Sequence, residues 1–284
     1  MPFATIDGIK TNYQVTGSGT PVLMLAPGGF DSSIMRWSAS GAWKELRPLD
    51  ALADQFQVIA YDRREAGDSG GRLEALNWEC HVKQAMGLLD HLGIESAYVL
   101  GGCMGVSVAL AVGRLAPKRV RGLLLHWPVG GYRWMMKGRS FFDGHIAYVR
   151  EHGLAAALAR AKELKTFWRG DPSGGPFSAA LANDTALADA FINQDLANYI
   201  RILERSRDTL FNDTMPSGAS GEEVMQMQAP ACIMSGNDAA HAHSAAVALH
   251  ELLPKSQLSP VMPQQQTGAA VGAWIRESIA WMQL

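Results

Sequence analysis

Residues Tyr98 to Leu110 read Tyr-Val-Leu-Gly-Gly-Cys-Met-Gly-Val-Ser-Val-Ala-Leu, and they constrain the fold more than any other stretch. A short apolar run meets a glycine-flanked turn and then a second apolar run rich in alanine and valine, which predicts strand, sharp turn and helix with Cys103 at the apex. Gly101, Cys103 and Gly105 fit the pattern G-x-nucleophile-x-G. In such an elbow a strained strand-to-helix turn lifts one reactive side chain above a sheet, and small neighbours let the backbone turn tightly. The usual occupant is serine; here it is cysteine. A helix start aims unpaired N–H groups and the positive end of the dipole at that position, which favours a thiolate. It also puts the backbone N–H of Met104 where a developing oxyanion can accept it. A cysteine between glycines is equally compatible with an ordinary small buried residue, so the rest of the chain has to decide.

The remaining pattern is one of buried strands alternating with helices. Phe3 to Val15, broken at Asp7-Gly8, reads as a hairpin. Pro21 to Ala26, Phe56 to Tyr61, Val120 to Leu125 and Pro230 to Ser235 are short continuous apolar runs, as expected of strands buried on both faces. Trp43 to Leu52 and the periodic set Trp78, Val82, Ala85, Met86, Leu89 and Leu92 predict helices, with the charged run Asp62-Arg63-Arg64-Glu65 in a loop between them. His81 and His91, on the second of these helices, read as structural or solvated. Strands and helices at this spacing imply a parallel sheet whose site lies at the strands' carboxyl ends. From His126 to about Gln228 the rhythm stops and the chain reads as helical, notably over Gly153 to Lys165 and Ala186 to Leu210, around a loop from Gly170 to Pro176. This gives a core of residues 1–126 and 229–284 with a helical cap at 127–228. Trp127, Trp134, Trp168, Phe141 and Phe142 either line an apolar pocket or form the cap's own core. A weak strand around Leu258 to Met262 and an amphipathic helix carrying Val271, Trp274, Ile275, Ile279 and Met282 close the chain.

Composition narrows the function classes. The 284 residues are 48% hydrophobic and 18% charged, enough for a large core. A net charge of −2 without long basic runs offers no footprint for nucleic acid or an anionic membrane, so a small molecule is the expected partner. Oligomeric state is left open. Cys80, Cys103 and Cys232 are odd in number and widely spaced, which supports neither a disulfide framework nor a zinc site. With no signal-like N-terminus and no spanning apolar stretch, a cytoplasmic location is expected.

Pro27-Gly28-Gly29 after the second buried-strand position, Tyr61-Asp62-Arg63-Arg64 with Gly67 and Ser69, the elbow Gly101 to Gly105, and Gly236-Asn237-Asp238 occur in an order that resembles the α/β-hydrolase superfamily over essentially the whole chain. The resemblance implies an α/β fold with a mostly parallel central sheet flanked by helices and a helical cap between strands six and seven. It makes Cys103 the nucleophile, Asp238 the acid, and Met104 and Gly29 the oxyanion donors. The family's histidine loop, however, here reads Pro260-Val-Met-Pro-Gln-Gln-Gln-Thr-Gly268 and contains no histidine. A thiol acting on an acyl group needs a base to take its proton and return it to the leaving group. His241, three residues beyond Asp238, is the favoured replacement, with His243 its neighbour and His126 the other candidate. His126, Trp127 and Phe30 are expected at the substrate pocket. Asp62 and Arg63 are expected to brace loops, while Arg64 and Glu65 are left open.

These residues imply a cysteine-dependent hydrolase of a small apolar or aromatic ester, lactone or activated carbon–carbon bond, working through a thioester without cofactor or metal. By analogy with capped members of the family, the substrates are products of ring cleavage. The missing histidine leaves a second reading open: the same fold serving as a lyase, an isomerase or a ligand-binding protein.

Overall fold

The computed structural model describes residues 1–167, 171–212 and 215–284. Trp168 and the start of the loop at Gly170 therefore lie outside the described residues. Eight strands among them form one sheet: β1 (Phe3–Ile6), β2 (Ile9–Thr16), β3 (Thr20–Leu25), β4 (Phe56–Tyr61), β5 (Ala97–Gly102), β6 (Val120–His126), β7 (Ala231–Met234) and β8 (Ser256–Leu258). Their spatial order is β1-β2-β4-β3-β5-β6-β7-β8. β1 and β2 pair antiparallel, as does β2 with β4, and every other pairing is parallel.

Side chains of the central strands alternate strictly between two cores, as the two-residue period of a strand requires. Leu23, Ile59, Val99, Leu123 and Ile233 face α3 (Trp78–His91) and α4 (Met104–Leu115). Val22, Met24, Val58, Leu100, Leu124 and Met234 face the other way, toward Trp37, Trp43 and the last helix, Gly268–Met282. Burial on both faces is why these strands read as continuous apolar runs.

Two expectations need correction. Trp43 to Leu52 is not one helix: α1 (Gly41–Leu46) and α2 (Pro48–Ala51) are separated by Arg47 at φ 48°. Pro48 disfavours the helical conformation in the residue before it, so the chain breaks there. The helix over Ala186 to Leu210 is likewise two, Thr185–Asn193 and Leu196–Leu210, with Asp195 accepting the N–H of Asn198 at 2.7 Å to start the second. The charges of Asp62 to Glu65 occupy the turn after β4, and they are buried. Asp62 accepts hydrogen bonds from Asn12 Nδ2 (2.8 Å) and from the backbone N–H groups of Ile34 (2.7 Å) and Asp68 (2.8 Å). Arg64 Nε donates to Glu65 Oε1 at 2.9 Å, and its Nη2 to Glu74 at 2.7 Å. The ring of charges thus stitches the β4 turn to β2 and to the following loop, and a buried pair so partnered is costly to break on one side only.

Between β6 and β7 the chain leaves the sheet through α5 (Tyr132–Leu164), which is interrupted at Gly153, and three further helices before the short Gly221–Met225 helix returns it. The underside of this segment is an aromatic cluster: Phe30 meets Phe142 at 5.5 Å and Phe167 at 5.2 Å between ring centroids. No helix among the described residues is long and apolar enough to cross a membrane.

Candidate active site

β5 ends in the elbow. Cys103 sits at φ 54° and ψ −123°, a sparsely populated conformation for a residue with a side chain and a form of strain common at functional sites. Two hydrogen bonds hold it: its N–H donates to the carbonyl of His126 at 3.0 Å, and its carbonyl accepts from Val106 N–H at 3.0 Å. The flanking glycines are required by space. A Cβ on Gly105 would lie 2.0 Å from the carbonyl oxygen of Leu25, and one on Gly101 would lie 2.5 Å from that of Gly105.

The half-buried Cys103 thiol faces His241. Burial alone would push its pKa up. The hydrogen-bonding and charge interaction with His241, aided by the backbone N–H groups of Gly28 and Met104, outweighs burial and holds the thiol below its ordinary value. Cys80 and Cys232 behave oppositely: burial pushes both up, Cys80 to about 11. The elbow cysteine is therefore the one of the three poised as a thiolate.

His241 and Asp238 come from the turn after β7. Both carboxylate oxygens of Asp238 lie 2.9 Å from His241 Nδ1. Burial lowers the histidine's pKa, but Cys103 and Asp238 together overcome this and push it up to about 9. The other ring nitrogen, Nε2, is buried and makes no hydrogen bond of regular geometry among the described residues. Its interaction with the Cys103 sulfur thus falls outside regular hydrogen-bond geometry, as catalytic contacts often do before a substrate is held. Residues 240 and 241 are fixed in turn by Gly130, whose N–H donates to the carbonyl of Ala240 at 3.2 Å.

The other histidines are placed elsewhere. His243 opens the helix after this turn and is tied through Nδ1 to Ser235 Oγ at 3.0 Å. His126, at the end of β6, is buried between indoles, 4.5 Å from Trp43 and stacked on Trp127 at 5.7 Å and 7°. From the histidine-free loop Pro260 to Gly268, Gln266 reaches the site. It accepts the indole N–H of Trp127 and donates to the carbonyls of Ser235 (2.8 Å) and Val261 (3.1 Å).

A cavity of about 380 Å³ opens onto Cys103. Gly28, Trp43, His126, Trp127, His241 and Gln266 are among its walls, with Arg36 at the edge paired to Asp31 at 3.1 Å. Two expected positions differ. Phe30 does not line it, because its ring is packed into the aromatic cluster with Phe142 and Phe167. The loop N–H that meets the sulfur is that of Gly28; Gly29, expected as an oxyanion donor, is buried in the following turn with its carbonyl held by Arg63 at 2.5 Å. Trp134 and Phe142 are buried in the core of the helical segment. Sequence reasoning missed the wall built by residues 36–43, since no periodicity marks a short turn that folds back over a site. Arg64 and Glu65 lie away from the cavity. Among the described residues no group of three or more His, Cys, Asp and Glu side chains is arranged to hold a metal ion.

The family pattern described as alpha/beta hydrolase fold matches residues 21–144. Over 200 residues the chain is 34% identical to the dihydrolipoyllysine-residue acetyltransferase component of the acetoin cleaving system of Cupriavidus necator, covering 70% of this chain and 45% of that protein. It is 35% identical over 124 residues to 2-hydroxymuconate semialdehyde hydrolase of Pseudomonas sp. (strain CF600), covering 43% and 41%. The chain thus spans less than half the length of these curated relatives. Among solved structures, the enol-lactonase from Burkholderia xenovorans LB400 superposes with a TM-score of 0.62 at 18% identity, covering 98% of this chain and 100% of that one. A thermophilic esterase from Thermogutta terrifontis gives 0.64 at 19% identity, covering 100% and 99%. At these identities the likeness concerns the fold.

Proposed function

Since residues 21–144 match the alpha/beta hydrolase fold pattern and the whole chain shares the fold of solved hydrolases, we propose that it is an α/β-hydrolase and a cysteine-dependent hydrolase of a small apolar or aromatic ester, lactone or activated carbon–carbon bond. The observation that carries this reading is the Cys103, His241 and Asp238 arrangement, in which a thiol held below its ordinary pKa faces a histidine raised to about 9 and backed by a carboxylate at 2.9 Å. The working form of the pair in this reading is thiolate and imidazolium. The thiolate attacks the substrate carbonyl, and the oxyanion is held by the N–H groups of Met104 and of the Gly28–Gly29 loop. His241 gives its proton to the leaving group as the tetrahedral intermediate collapses to a thioester. The now neutral imidazole takes a proton from water, whose oxygen attacks the thioester, and collapse releases the acid and restores the thiolate and imidazolium.

Asp238 holds the imidazole in the productive tautomer and favours its charged form. The helical segment 127–228 acts as a cap over the core formed by residues 1–126 and 229–284. The cavity's tryptophan walls fit an apolar or aromatic acyl group, and the named activities of the relatives on ring-cleavage products, enol-lactones and esters fall in the same class.

Turnover of p-nitrophenyl esters of aliphatic and aromatic acids by the wild type, Cys103→Ala and His241→Ala tests this. Burst-phase release of nitrophenol by the wild type, with loss of turnover in both variants, is the expected result. Turnover that survives both substitutions would overturn the assignment in favour of a non-hydrolytic protein of the same fold.

A further inference from the structure

His126, on the cavity wall, is a buried polar side chain, 4% exposed, with neither Nδ1 nor Nε2 partnered among the described residues. Buried polar atoms are almost always paired, because an unmet one costs its full desolvation. The ring is also rigidly placed. It stacks on Trp127, lies edge-on to Trp43 and contacts Trp274 at 6.1 Å. Its residue is register partner to Gly102, and its carbonyl holds the N–H of Cys103, which fixes it beside the nucleophile.

From this, resting on the reading of the cavity as a substrate site, we infer that His126 is a specificity-determining residue that selects an uncharged hydroxyl, enol or phenol carried on an aromatic or similarly flat acyl group. The chemistry follows from the ring's state. Burial first, and then the positive charge of His241, lower its pKa to about 3, so the imidazole is neutral at any working pH. A neutral imidazole carries an N–H donor on one nitrogen and an acceptor lone pair on the other, and a hydroxyl, which both gives and takes a hydrogen bond, can pair with whichever of the two meets it. A carboxylate only accepts, leaves the acceptor nitrogen unpaired and adds a buried charge. Arg36, the guanidinium on the same wall, is already paired with Asp31. The flat faces of Trp43 and Trp127 fit an aromatic ring.

The test uses three small probes of matched shape, 4-methylphenol, 4-fluorotoluene and 4-methylbenzoate, binding to the Cys103→Ala protein. Affinity is read by quenching of tryptophan fluorescence and by ring ¹⁵N shifts of labelled histidine. The expected order is 4-methylphenol tighter than 4-fluorotoluene by about tenfold or more, with 4-methylbenzoate weakest. Only the phenol should shift the His126 ring nitrogens. In His126→Phe, which keeps the stacked ring and removes both nitrogens, the ratio of phenol to fluoroarene affinity should fall to about one. A phenol that binds no tighter than 4-fluorotoluene, a preference that survives His126→Phe, or phenol binding without movement of the His126 ring signals would each overturn the inference. Should His126→Phe fail to fold, the ring shifts in Cys103→Ala decide alone. None of these readouts requires turnover, so a failure of hydrolysis in the ester assay and a failure of this inference are seen separately.

Discussion

Asp238 and His241 lie on one turn, with Nδ1 of the imidazole 2.9 Å from both carboxylate oxygens, while Oδ1 also accepts the backbone N–H groups of Ala240 at 2.8 Å and of His241 at 2.9 Å. The carboxylate therefore both shapes the turn and charges the ring. Asp238→Asn keeps an acceptor for the two N–H groups but cannot stabilise the imidazolium. We expect it to lower kcat on activated esters by on the order of 10²-fold or more while leaving the fold intact. The pH profile separates this from a structural effect. The wild-type rate should fall above about pH 9, where His241 loses the proton that the leaving group needs. In Asp238→Asn that limb moves to lower pH, because the carboxylate raises the histidine's pKa. An unmoved limb would sink the assignment of Asp238.

Gly105→Ala should be among the most damaging single substitutions in the chain. The new Cβ would meet backbone, at 2.0 Å from the oxygen and 2.8 Å from the carbon of Leu25, and neither β3 nor the elbow helix can give way. Overpacking of this kind costs about 1–3 kcal/mol and more where backbone must move. Gly221→Ala is the control: the added methyl meets nothing nearer than Leu252 Cδ1 at 3.6 Å, in the first turn of a helix, so it should be neutral or slightly stabilising. Urea unfolding of the two variants beside the wild type checks the contrast, and equal losses would contradict it.

Stability should fall with acid before the bulk of the carboxylates titrate. Burial keeps His126 and His145 neutral, with pKa values lowered to about 3 and about 4, and holds His81 well below its ordinary value. In the unfolded chain each titrates near 6.5, so below that pH the unfolded state binds protons that the folded state refuses. The stability is fully present above about pH 6.5 and is lost as pH falls toward the folded values, at about 1.4 kcal/mol per unit for each ring. His126→Phe removes one of these rings. Its unfolding free energy, measured by urea titration between pH 7 and about pH 4.5, should decline less steeply than that of the wild type. Parallel slopes would mean that His126 is protonated in the folded protein.

Much of the fold was written in local pattern. The strands buried on both faces are continuous apolar runs, and the elbow is spelled by Gly101, Cys103 and Gly105 within a few residues, so both were legible without knowledge of the neighbours. His241 could be nominated because it follows Asp238 so closely. What escaped depends on contacts distant in sequence. The burial of Arg64 beside Glu65 and Glu74, the retreat of Phe30 into the cluster with Phe142 and Phe167, and the wall formed by residues 36–43 have no periodic signature.

Specificity illustrates the same limit. The tryptophans of residues 127–228 were open to a pocket or a core reading; among the described residues Trp127, at the hinge, lines the cavity, and Trp134 is core. The opposing wall comes from the turn before α1 and from Pro263 and Gln266.

The confinement of Asp238 and His241 to four consecutive positions makes proton transfer a portable unit. In a layout whose acid and histidine sit on separate loops, both loops are frozen by the reaction. On the proposed assignment the loop from Pro260 to Gly268 carries no catalytic group; its Gln266 tethers Trp127, binds the carbonyls of Ser235 and Val261 and lines the cavity, so changes in this segment reshape the pocket for new acyl groups while Cys103, His241 and Asp238 stay untouched.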